Sequence, residues 1–108
     1  MPPQLTNEEL TLAVIPGPGS RWSDIEQFAL TYPQAEQLGP RLAELGARHA
    51  EARTVPTQLS ELRACLWFEQ RQWRHFQAVP DGAALEHIFK LLAGIKAAVA
   101  KLPPLPRA

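Results

Sequence analysis

Glu69 is the residue whose type and position in this chain most clearly suggest chemistry. At about 100° per residue, it falls on one helical line with apolar residues, namely Leu59, Leu62, Leu66, Trp73 and Phe76. An unpaired buried carboxylate is costly, so Glu69 must find a partner or hold a proton. Its neighbours three and four residues away carry no positive charge, so a countercharge has to come from elsewhere in the chain. The candidates are Arg21, Arg41, Arg48, His49 and His87, or an indole or phenol donor.

Two roles for this carboxylate follow from its position. We interpret Glu69 as a structural buried polar residue that fixes helix register, and His49, on an apolar helical stripe, as a second one. The alternative is a small enzyme, in which Glu69 and either His49 or His87 form an acid–base pair in an open pocket. Nucleophilic catalysis has less support, because Cys65 and His75 lie about 15 Å apart along one helix. Three histidines and one cysteine show no metal-ligand spacing, so we expect no metal. Because the sequence also shows no catalytic constellation and no cofactor motif, we expect no enzyme and no cofactor.

A second line on the same helix combines tryptophan with arginine. It consists of Arg63, Trp67, Arg71 and Arg74, and nearby acids are too few to neutralise it locally. Arginine and tryptophan are enriched at binding hot spots, so this line predicts a partner-binding face. The alternative is that other parts of the chain cover Trp67 and that glutamates from other elements pair with the arginines.

The favoured function is therefore a non-enzymatic protein-interaction domain. Its partner would be another protein, as for a small adaptor, an inhibitor of the immunity kind or an obligate subunit, or a second copy in a homodimer. The alternative is a nucleic-acid-binding protein with the arginines on phosphates and Trp67 stacked on a base. Eleven basic and eleven acidic residues cancel, which argues against nucleic acid and against a membrane surface.

Proline, glycine and capping residues divide the chain into predicted helices. A capping box at residues 23–26 predicts a first helix that ends at about residue 32. Gly39-Pro40 interrupts the second predicted helix. Thr57 and Asp81 are the predicted N-caps of two longer helices. The predicted ranges of the last three helices are about 41–52, 57–77 and 82–102. The final helix carries a clean apolar stripe, comprising Leu85, Ile88, Leu92, Ile95, Val99 and Leu102.

These elements predict an all-α bundle of about four main helices in a single domain of 108 residues. We expect a proline-rich, irregular N-terminal arm at residues 1–20, the bundle at 21–102 and a loose proline-rich tail at 103–108. One cysteine, no basic-apolar leader and no long apolar run favour a cytoplasmic protein without a membrane span.

Two segments also resemble a known group of sequences. They are Trp22-Ser-Asp-Ile with Phe28-Ala-Leu-Thr-Tyr32, and the longer Leu62-Arg-Ala-Cys-Leu-Trp-Phe-Glu-Gln-Arg-Gln-Trp-Arg-His-Phe76. Both are similar to segments of a loosely defined group of small, uncharacterised bacterial helical proteins. The resemblance implies a bacterial source and no particular activity.

Overall fold

All regular secondary structure in the described part of the chain is α-helical. The computed structural model describes residues 15–30 and 39–101. Within these ranges the helices are α1 (Trp22–Ala29), α2 (Gly39–Ala52), α3 (Leu59–Phe76) and α4 (Gly82–Ala100), and no strand occurs. The predicted all-α bundle of four main helices is confirmed. The predicted tail and most of the predicted N-terminal arm lie outside the described residues.

The helix starts differ from the predicted ones by one or two residues. Arg21, not Ser23, is the N-cap of α1, and its side chain makes no capping hydrogen bond. Gln58 rather than Thr57 precedes α3, again without a side-chain cap. Gly39, at φ 77°, opens α2 two residues before the predicted start. Buried apolar faces therefore position these helices more strongly than capping side chains do.

Two helices end in the same left-handed turn, formed without glycine. Gln77, at φ 53°, follows α3, and its N–H donates to the Arg74 carbonyl (3.1 Å) while the next N–H donates to the Trp73 carbonyl (3.2 Å). Arg53, at φ 55°, follows α2, and the N–H of Thr54 donates to the His49 carbonyl (3.0 Å). These are Schellman-type ends, which satisfy carbonyls of the last helical turn and redirect the chain sharply.

The core forms around α3, which packs against each of the other three helices and most extensively against α2 and α4. Its buried apolar members are Ile25, Phe28, Ala29, Leu62, Cys65, Leu66, Ile88, Leu91, Leu92, Ile95 and Val99. Four residues of the predicted α4 stripe are among them, while Leu102 lies outside the described residues. Across the described ranges, every helix is too short or too polar to cross a membrane.

Phe76 corrects the predicted core line of α3. It was expected to face inward, but 55% of its surface is exposed. Phe76 is the last residue of α3, and the turn at Gln77 leads the chain away before another element covers it. Its ring instead meets the edge of Trp73, with centroids 5.8 Å apart.

Two glycines allow close approach of neighbouring helices to α3. A Cβ placed on Gly46 of α2 would lie 2.8 Å from the Phe68 Cβ, and one on Gly94 of α4 would lie 2.8 Å from a terminal methyl of Leu62. Real side chains do not tolerate such distances without displacement, so α2 packs against α3 at a contact that requires glycine, and at Gly94 of α4 a larger residue would displace the end of Leu62.

Cys65 lies in this core with 1% of its surface exposed. Burial, assisted by the negative charges of Glu61 and Glu69, raises the pKa of its thiol from 9.0 to about 12. A buried thiol of this kind is protonated and unreactive, as expected for a small apolar core residue.

The raised thiol pKa predicts an alkaline loss of stability. The folded state keeps the Cys65 proton while the unfolded chain releases it, so stability is fully present below about pH 9 and falls between pH 9 and pH 12. Relative to a Cys65→Ala variant, the native protein should lose about 1.4 kcal/mol per pH unit in that window. Urea unfolding at pH 8, 9, 10 and 11 measures the difference. Parallel pH profiles for the two proteins would contradict a buried thiol.

Candidate functional site

A chain of polar contacts crosses the interior between α3, α4 and the end of α2. Trp73 Nε1 donates to Glu69 Oε2 (2.9 Å), and Glu69 Oε1 lies 3.4 Å from His87 Nδ1. On its other side, His87 Nε2 lies 2.9 Å from the backbone carbonyl oxygen of Thr54. Glu69 and His87 are only 5% and 4% exposed. The carboxylate is therefore buried, as its position on the apolar line predicts, and it is paired.

The carbonyl partner of His87 fixes which of its nitrogens donates. A carbonyl oxygen accepts only, so His87 Nε2 must carry a hydrogen and donate it to Thr54. The contact between His87 Nδ1 and Glu69 Oε1 is then attractive only with a second proton between them.

Local structure positions each member of this cluster. Glu69 and Trp73 are four residues apart on α3 and so lie one turn apart on the same face. His87 belongs to the second turn of α4. The left-handed turn at Arg53 directs the Thr54 carbonyl towards His87, so the end of α2 is tied to α4 through the backbone.

The structure selects among the partners proposed for Glu69. Of the possible cations it brings His87 to the carboxylate, and the indole donor is Trp73. His49 corrects the prediction of a buried histidine, because it is half-buried and its Nδ1 lies 2.7 Å from the Thr54 hydroxyl oxygen. It occupies the last turn of α2, where the helix passes the edge of the core. The apolar stripe of α2 predicts which face points inward, but it does not predict that the core ends before it reaches His49.

The engagement of both His87 nitrogens limits what the cluster can do. One nitrogen faces Glu69 and the other donates to Thr54, so the imidazole offers no free lone pair to a substrate. A general base needs such a lone pair within hydrogen-bond reach of the proton it removes. This geometry favours a structural role, in which the cluster joins three helical elements.

A cleft of about 430 Å³ lies beside the cluster, and we refer to it as the three-helix cleft. It is lined by residues of α2, α3, α4 and the turn after α2: Ala47, Ala50, Glu51, Arg53, Phe68, Glu69, Gln72, Trp73, Ala84 and His87. Gln72 Oε1 is inaccessible to solvent and has no hydrogen-bond partner among the described residues. The walls of the cleft thus consist of small, aromatic and polar side chains.

The predicted partner-binding line on α3 divides into two parts. Trp67 is half-buried and packs against the core, and the Arg71 guanidinium lies over its ring, 5.3 Å from the centroid. Arg63 is also half-buried, whereas Arg71 and Arg74 are exposed. The two arginines nearest the end of α3 therefore present their charge to solvent, and Trp67 contributes mainly to packing.

A second concavity lies where the start of α1 meets the end of α3, and we refer to it as the α1–α3 groove. It is shallow, has a volume of about 530 Å³, and is lined by Arg21, Trp22, Ser23, Glu26, Trp73, Arg74, Gln77, Ala78 and Val79. Val79 is 66% exposed, and Phe76, in contact with Trp73, is 55% exposed. Helical periodicity could not predict this groove, because its residues come from separate elements. One signal was present in the sequence: Val79 is an apolar residue in a predicted turn, directly before a proline, where exposure is expected.

Comparisons of the chain with protein families, with characterised proteins and with solved structures find no match. The resemblance of two segments to small bacterial helical proteins stays a prediction.

Proposed function

We propose that this protein is a non-enzymatic interaction domain that binds another protein at the α1–α3 groove and the adjoining Phe76. The observation that carries the proposal is the exposure of two large apolar side chains: Val79, 66% exposed, lines the groove, and Phe76, 55% exposed, contacts the lining residue Trp73. Contiguous apolar surface with a polar rim is typical of protein interaction sites.

The charges around the groove indicate the chemistry of the partner. Arg21 and Arg74 line the groove, and Glu26 is the acidic residue in its lining. Arg71, three residues before Arg74 on α3, is also exposed. Guanidinium groups bind carboxylates through paired hydrogen bonds, so the complementary surface is a segment with apolar side chains flanked by Asp or Glu.

This proposal keeps part of the sequence-based interface and replaces its anchor. Arg71 and Arg74 remain, while Phe76 and Val79 take the anchoring role predicted for Trp67. The change follows from the packing of Trp67 on the core and the guanidinium over its ring. The same packing gives no support to base stacking on Trp67, which the nucleic-acid hypothesis requires. An exposed surface of this kind is consistent with the proposed role of a bacterial, cytoplasmic adaptor, inhibitor or obligate subunit, each of which acts by binding another protein.

We expect the Phe76→Ser/Arg74→Glu double variant to lose at least tenfold in affinity for the natural partner. It removes an apolar anchor and reverses a charge, and hot-spot losses of this size are usual at interface centres. A photo-crosslinking residue at position 79 identifies the partner in cells of the source organism, and titration of the two purified proteins then measures affinity. Sedimentation reveals whether the partner is a second copy of the chain.

The matched control is the Glu86→Ala/Lys90→Ala variant, which removes an exposed ion pair on α4. It changes as many surface residues but should leave affinity within twofold of native. The double variant at the groove should cost about 1–2 kcal/mol of unfolding free energy, because it removes the Phe76–Trp73 ring contact and reverses a charge in the last turn of α3, and it should remain folded. Native affinity in a folded Phe76→Ser/Arg74→Glu protein would rule out this surface.

A further inference from the structure

We propose that residues 5–12 of this same chain occupy the α1–α3 groove when no partner is bound, so that a partner must displace them. We refer to residues 5–12 as the acidic segment, which lies outside the described residues. The regulatory part of this proposal rests on the proposed function, because it concerns the same surface. The contact between the acidic segment and the groove can be tested on the chain alone.

The acidic segment has the chemistry that the groove requires of an occupant. It reads Leu-Thr-Asn-Glu-Glu-Leu-Thr-Leu, which places three leucines around two adjacent carboxylates without a basic residue. The groove offers Trp22 and Val79 as apolar surface. Of its charged residues, Arg21 and Arg74 are basic and only Glu26 is acidic. Opposite charges beside an apolar contact are the complementarity expected of a specific interface.

The described chain before α1 holds the acidic segment close to the groove. Ile15 packs against the core, which fixes the point where the segment joins the bundle. A turn separates Ile15 from Arg21 at the groove. In this turn the Ser20 N–H donates to the Gly17 carbonyl (3.1 Å), and Gly19 has a φ of 90°, as the third residue of a type II turn does. The turn reverses the chain, so the acidic segment starts beside the first turn of α1.

Other occupants of the groove are less well matched than the acidic segment. Residues 102–108 carry an arginine and no acid, and residues 31–38 follow the end of α1, whereas the groove lies at its start. A second copy of the chain or a separate protein loses translational freedom on binding. A segment joined by a short linker instead has an effective concentration on the order of millimolar, so weak contacts are enough to keep it in the groove.

Photo-crosslinking in the purified full chain, without any partner, tests the contact. With a photo-crosslinking residue in place of Val79, we expect an intramolecular crosslink to residues 5–12, mapped by mass spectrometry after digestion. The Glu8→Lys/Glu9→Lys variant should lower the crosslink yield about fivefold, because attraction to the arginines of the groove becomes repulsion.

A control and a charge exchange show whether the effect is specific to the groove. The Glu44→Lys/Glu86→Lys variant makes the same change in net charge at exposed positions of α2 and α4, and should keep the yield within twofold of native. Adding Arg21→Glu/Arg74→Glu to the variant of the acidic segment restores opposite charges and should restore the crosslink. Recovery by exchange also shows that neither pair of substitutions acts by unfolding the protein.

The affinity of the partner, once it is identified by crosslinking at position 79 in cells, tests the regulation. It should bind the Glu8→Lys/Glu9→Lys variant about fivefold more tightly than the native chain, because the competing segment has left the groove. Unchanged affinity in a variant that has lost the intramolecular crosslink would exclude autoinhibition.

The contact itself is overturned if position 79 crosslinks only elsewhere in the chain, if it crosslinks only between two copies, or if charge reversal leaves the yield unchanged. These results are distinct from a failure of the proposed function. In that case Phe76→Ser/Arg74→Glu would bind the partner with native affinity, while the crosslink to residues 5–12 in the otherwise native chain would persist.

Discussion

The Glu69→Ala variant should lose about 3–5 kcal/mol of unfolding free energy. The substitution removes the acceptor of the Trp73 N–H and the carboxylate that faces His87 Nδ1, so these two nitrogens lose their partner while His87 Nε2 keeps its bond to Thr54. A small domain has about 5–15 kcal/mol of stability in total, so the variant should be close to unfolding. Urea denaturation followed by circular dichroism measures the loss.

Glu69→Gln separates the loss of hydrogen bonds from the loss of charge. The glutamine oxygen can accept from Trp73 Nε1 and its amide can donate to neutral His87 Nδ1, so both contacts persist. We expect a cost of about 1 kcal/mol, within the range of a typical hydrogen bond. Glu86→Ala, at a side chain that is 71% exposed, is the surface control and should cost less than about 0.5 kcal/mol. A Glu69→Ala protein as stable as the native one would show that the cluster does not join the helices.

We expect Gly46→Ala to destabilise the protein by about 1–3 kcal/mol, the usual cost of overpacking. On helix propensity alone, alanine would stabilise this position by about 1 kcal/mol. However, the new methyl would lie 2.8 Å from the Phe68 Cβ, which is fixed to the backbone of α3 and cannot rotate away. The steric term should therefore exceed the propensity term. Thermal and urea unfolding provide the measurement.

Gly94→Ala is the informative comparison, because its new methyl would meet the flexible end of Leu62 instead. A change of the Leu62 rotamer relieves part of this clash, so Gly94→Ala should be less destabilising than Gly46→Ala. Gly17→Ala meets no atom within 4 Å and should change stability by less than about 1 kcal/mol. Stabilisation by Gly46→Ala would mean that α2 and α3 are not in such close contact.

The helical architecture could be predicted because its signal is local. The leucine and isoleucine stripes of α3 and α4 repeat with helical spacing, and Leu62, Leu66, Ile88 and Ile95 are buried accordingly. Helix starts were less predictable, since Ser23 and Thr57 resemble caps but the helices begin without side-chain capping bonds. Packing, which the sequence pattern does not show, decides those boundaries.

The burial of Glu69 was also predictable, whereas the choice of its partner was not. Periodicity alone placed the carboxylate on the apolar line. The choice of His87 depends on how α4 packs against α3 and on the turn after α2 that presents the Thr54 carbonyl. His49 shows the same limit, because its stripe is apolar but the core ends before reaching it. Tertiary distances of this kind are not encoded in any single segment.

The central place of α3 has a consequence for how the chain acquires its structure. Its two extensive partners, α2 and α4, are its immediate neighbours in sequence, so the loops that must close are short. Closing short loops costs little chain entropy, and helical proteins dominated by local contacts fold in microseconds to milliseconds. Folding should therefore be fast, with α3 as the surface on which the flanking helices condense.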